Sequence, residues 1–83
     1  MSFIIVIQAK GGRVLARGHR ERMQQRGMQG WWTSVPDCVY TYSDIREAQR
    51  IHQTLRHNNA TIVGKKQGFA MLAGEESFPC PNV

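Results

Sequence analysis

The sequence predicts an α+β fold: a small antiparallel or mixed sheet of four to five strands, with one main helix over about residues 44–57 packed on one face. Three observations carry this. Residues 3–7, FIIVI, form a continuous β-branched run, the composition of a central strand buried on both faces. Ile45, Ala48, Ile51, His52 and Leu55 recur at helical spacing and form one apolar face. Two further short apolar runs, residues 60–64 and 69–73, flank the turn-like Lys65-Lys66-Gln67-Gly68 and predict a second hairpin.

In order along the chain, residues 2–9 open the sheet. Lys10-Gly11-Gly12 supplies a turn, and residues 13–17 pair back as a second strand. Residues 19–26 are good helix formers, but Met23 is their sole apolar side chain. A short helix with so little to bury is marginal in water. The expectation for residues 18–30 is therefore a mobile loop or a loosely held helix that orders against a partner. Trp31 and Trp32 follow, then Val35-Pro36-Asp37 as a turn and residues 38–42 as a strand. Ser43 is placed as the helix N-cap with Asp44 in the first turn, where the helix dipole favours an anion. Asn58-Asn59, able to take the left-handed conformation, stops the helix. Residues 75–83 read as a short tail.

Eighty-three residues make a single domain, 1–83, with a basic flexible segment at about 10–30. The longest strongly apolar run is five residues, far short of the roughly 20 that a membrane helix needs, and it has no basic segment before it to make a signal peptide. The expectation is a cytoplasmic protein of a bacterial host that does not engage a membrane. Cys38 and Cys80 match no zinc or redox spacing and read as free thiols, Cys38 as a small buried hydrophobe. The three histidines and two cysteines form no ligand pattern, so neither a metal nor a cofactor is expected.

Charge is the feature that points to function. Residues 10–26 hold Lys10, Arg13, Arg17, Arg20, Arg22 and Arg26 against Glu21 alone, and so carry the whole formal net charge of +5. The rest of the chain balances. Arginine forks pair bidentately with phosphate or carboxylate, so five in one segment suit a phosphate backbone or an acidic protein groove. Arg46 and Arg50 add a basic stripe on the outer side of the helix. Adjacent tryptophans in extended chain project to opposite faces, so one of Trp31 and Trp32 enters the core and the other is free to stack on a base or anchor an interface. Catalysis finds no motif: no P-loop, no GxGxxG, no HExxH, and a Cys38–His52 pair would lie where a core is expected.

Residues 39–55, VYTYSDIREAQRIHQTL, continuing into NATIV at 59–63, give a strand, a capped helix with Glu-Ala in its first turns, and a strand opened by Ala-Thr-Ile-Val. This resembles a pattern of very small bacteriophage and mobile-element proteins, several anti-CRISPR inhibitors among them. The resemblance implies a compact α+β protein that binds a CRISPR effector and blocks its access to nucleic acid. Acidic DNA mimics of that group differ from this chain in the sign of the charge, so a basic member would grip an acidic protein surface or the nucleic acid that the complex holds. The leading expectation is thus a non-enzymatic inhibitor of a host nucleoprotein complex, acting through Arg13, Arg17, Arg20, Arg22, Arg26, Arg46 and Arg50 with Trp31 or Trp32 as anchor. The alternative is a small nucleic-acid-binding protein using the same arginines and a stacking tryptophan.

Overall fold

The computed structural model describes residues 1–57 and 59–78. Four strands form one antiparallel sheet: β1 (Phe3–Gln8), β2 (Val14–Arg17), β3 (Trp32–Thr33) and β4 (Thr61–Gly64), in the order β3-β2-β1-β4. The β-branched run is β1, one of the two inner strands, and it is buried on both faces as its composition predicts. Ile4 and Val6 point to one side, where they pack with Ala16, Val63 and Met71. Ile5 and Ile7 point to the other, against Tyr42, Ala48 and Ala60. The β1–β2 turn falls on Gly11 and Gly12, both at positive φ (86° and 85°), a conformation that side-chain-bearing residues rarely adopt.

Each face carries a helix. Helix α2 (Ile45–Leu55) lies over the Ile5 side, and helix α3 (Lys65–Leu72) lies over the Ile4 side. The second expected hairpin does not form. β4 runs directly into α3, and residues 69–72, expected as a strand, are helical. A short apolar run has no period of its own, and Phe69-Ala-Met-Leu is composed largely of good helix formers. Gly68, expected in a turn, instead lies buried in α3 where the helix crosses Ile4 and Val63.

Asp44, not Ser43, caps α2: its Oδ1 accepts the Arg46 backbone N–H at 2.8 Å. The helix ends at Leu55 because Arg56 takes the left-handed conformation (φ 50°, ψ 37°), ahead of the asparagines expected to stop it. Asn58 and Cys80 lie outside the described residues.

Residues 38–42 are not a strand. Pro36–Cys38 is a single 3-10 turn, and the chain after it enters the gap where the ends of β1 and β2 diverge. Val39 bridges Gly18 and Tyr42 bridges Phe3, while the Tyr40 N–H donates to the Arg17 carbonyl at 2.9 Å. Splitting its bonds between two separating strands, the segment forms two bridges and no ladder. Residues 18–30 take the helical one of the two alternatives expected. They contain helix α1 (Arg20–Gln25), whose Met23 is 1% exposed and folds back over Gly18. That one apolar side chain anchors the helix. Phe78, expected in the tail, packs against the Ile4-side core.

Candidate functional site

The arginines do not form one patch. Arg13 sits at the hairpin turn beside a hollow of about 470 Å3 reaching Leu72 and Phe78, while Arg17 lies four residues further along, about 13 Å away at strand rise. Arg22 donates to the Asp37 carbonyl at 3.1 Å, and Arg26 pairs with the Asp37 carboxylate at 3.2 Å. This second contact is an exposed ion pair. Arg46 and Arg50 are exposed on α2, with no side-chain hydrogen bond or ion pair among the described residues.

Arg17 and Arg20 are placed differently. Arg17 ends β2 opposite Trp32, and the Gly18 N–H donates to the Trp31 carbonyl at 2.6 Å, which fixes the tryptophan pair beside it. The Arg17 guanidinium lies 4.3 Å from the centre of the Trp31 ring and 6.0 Å from that of Trp32. Arg20, from the first turn of α1, lies 5.2 Å from Trp31. Trp31 remains 40% exposed, whereas Trp32 packs on the Ile5-side core and meets the His57 ring edge-on at 5.7 Å. The division between one exposed and one packed tryptophan therefore holds, and Trp31 is the exposed one.

The wedge at residues 39–42 brings in aromatic rings that the sequence argument passed over. Tyr40 stacks on His19 (5.5 Å, 15°) and lies 4.7 Å from Tyr42. Together with Arg17, Arg20, Trp31, Glu47 and Ile51, the two tyrosines line a cleft of about 230 Å3 between β2, α1 and α2. The alternation Val-Tyr-Thr-Tyr was the available signal, since side chains two apart in extended chain share a face. Nothing in the sequence marked Glu47, and Ile51 read only as part of the apolar helical face; the two stand about one helical turn apart on α2. Arg46 and Arg50 occupy the adjoining, outer row of that helix and are not among the residues that line the cleft.

Burial sets the electrostatics. Partial desolvation lowers the Arg17 pKa, opposed by the neighbouring Tyr42 hydroxyl, but a guanidinium stays charged at neutral pH. Burial raises the Tyr42 pKa, Arg17 opposes the rise, and Tyr40 and Glu47 add to it, so the hydroxyl remains protonated. A larger hollow of about 640 Å3 lies beside Phe3 and Phe69 with Lys65 and Lys66 among its lining residues, but it gathers no arginine.

His52 Nε2 lies 2.6 Å from the Ala60 carbonyl, and the buried Cys38 Sγ lies 4.0 Å from Met28 Sδ, so each has a partner other than the other. Among the described residues no group of His, Cys, Asp and Glu is placed to hold a metal ion, and no helix is long and apolar enough to cross a membrane. No family model, curated protein or solved structure matches this chain.

Proposed function

We propose that this protein is a non-enzymatic binding protein that grips single-stranded nucleic acid through Arg17 and Arg20. The observation that supports this is the pair of guanidiniums held on Trp31 with no carboxylate partner among the described residues. An arginine stacked on an aromatic face is held in place while its N–H fork stays available, which is the preorganisation a phosphate needs. Trp31, 40% exposed at the mouth of the cleft, is the ring that an unpaired base would meet, with the half-buried Tyr40 beside it.

The test is fluorescence anisotropy with labelled single-stranded oligothymidine across a salt series. Each phosphate neutralised contributes about −0.7 to the log–log slope for single strands. Two stacked arginines predict a slope of about −1.5, approaching −3 if Arg46 and Arg50 also engage. Replacing Arg17 and Arg20 by alanine should abolish most of the affinity and flatten the slope, whereas replacing Arg22 and Arg26 should do much less. Binding that is indifferent to salt, or to loss of Arg17 and Arg20, would refute the reading.

A second reading is the inhibitor of a host nucleoprotein defence complex in the bacterial cytosol. Its support is the Asp44-capped helix α2 leading into β4, the last two elements of the strand–helix–strand order on which the anti-CRISPR resemblance rests. Retention of a CRISPR effector from lysate after nuclease treatment, lost on replacing Arg17 and Arg20, would favour it. Retention that nuclease abolishes would favour direct nucleic-acid binding.

A further inference from the structure

We propose that the cleft beside Trp31 receives a single unpaired guanine base, with its Watson–Crick edge on the Glu47 carboxylate and its O6/N7 edge toward Arg17. The inference rests on the nucleic-acid reading above and adds base preference to it. Glu47 and Arg17 line the same cleft, yet they form no ion pair; among the described residues the one ion pair is Arg26 with Asp37. Opposite charges that share a cleft without neutralising each other leave both available to a ligand that complements both.

Size and chemistry narrow that ligand. The cleft, about 230 Å3, is smaller than the roughly 300–1,000 Å3 of pockets that enclose drug-sized molecules, so it suits one ring system and not a whole nucleotide. Its walls include the Trp31 ring, two tyrosines and the apolar Ile51, which suit a flat aromatic group. A carboxylate only accepts hydrogen bonds and a guanidinium only donates them. The ligand must therefore present a pair of adjacent donors on one edge and a pair of adjacent acceptors on another. Guanine does so, with N1–H and the 2-amino group on the first edge and O6 and N7 on the second. Adenine sets one donor beside one acceptor, cytosine one donor beside two acceptors, and thymine a lone donor between two acceptors, so none of them presents two adjacent donors. The base must be unpaired, because pairing conceals N1–H and the 2-amino group.

The experiment measures anisotropy of the full chain on three labelled oligothymidines of equal length: unmodified, with one central deoxyguanosine, and with one central deoxyinosine. The guanosine oligomer should bind about tenfold more tightly than the unmodified one, within the range for a bidentate base contact. Inosine, which lacks the 2-amino group, should lose most of that gain. Glu47 is exposed, so Glu47→Gln leaves the core intact; it should bind oligothymidine yet discriminate less than twofold. A preference that persists in Glu47→Gln overturns the assignment. Equal, salt-dependent binding of all three oligomers that still requires Arg17 and Arg20 overturns the guanine reading and leaves the phosphate grip standing. No binding to any of them overturns both.

Discussion

Replacing Met23 by alanine tests how α1, and with it Arg20, is held. In the structure Met23 is 1% exposed and is the sole buried residue of a six-residue helix. Fully burying a methionine side chain contributes about 1.5–3 kcal/mol, and a core Met→Ala change costs about 2–5 kcal/mol once the cavity is included. Because α1 lies at the periphery, where the chain can partly collapse into the space, the expected loss is at the lower end, about 2–3 kcal/mol. For a domain of this size that lowers Tm by about 10–20 °C. Thermal and urea melts followed by circular dichroism read the change directly. Met23→Leu, nearly conserving volume, should cost less than about 1.5 kcal/mol and serves as the control. If α1 were instead a loosely attached segment, Met23→Ala would behave as a surface change, within about 0.5 kcal/mol of wild type. That result would refute the anchoring argument and remove the basis for a preorganised Arg20.

Two further outcomes follow from the packing. A Cβ at Gly68 would run into the Ile4 Cδ1 methyl and sit 2.6 Å from Ile4 Cγ1 and 3.0 Å from Val63 Cγ2. Gly68→Ala should therefore lose about 1 kcal/mol in a urea melt, because overpacking of about 1–3 kcal/mol outweighs the helix-propensity gain of about 1 kcal/mol. Adding Ile4→Val should recover part of that loss, and a Gly68→Ala protein more stable than wild type would contradict the close α3–β1 approach. Burial raises the Tyr42 pKa, so the native state holds that proton more tightly than the unfolded chain does. The resulting stability is complete below the ordinary tyrosine value of about 10 and disappears as pH rises through the higher folded value. Urea midpoints measured from neutral to strongly alkaline pH should fall more steeply for wild type than for Tyr42→Phe; identical profiles would remove the buried-hydroxyl argument.

The readable parts of this chain were those where local chemistry and global position agree. FIIVI could only be satisfied with cover on both faces, and β1 is one of the two inner strands, covered by a helix on each face. The glycine pair at 11 and 12 marked the hairpin, and the 3.6-residue period of Ile45 to Leu55 marked α2. The concentration of positive charge in residues 10–26 was likewise visible without coordinates. Tertiary structure decided what short segments cannot encode. Residues 69–72 carry no period, so packing against Ile4 and Val63 selected helix over strand. Residues 39–42 suit a strand by composition, but the divergence of β1 and β2 turned them into a wedge that delivers Tyr40 and Tyr42. Net charge cannot separate Arg22 and Arg26, which engage Asp37, from Arg17 and Arg20, which rest on Trp31. Those distinctions depend on residues distant in sequence meeting at a few ångströms, and only the folded chain sets such distances.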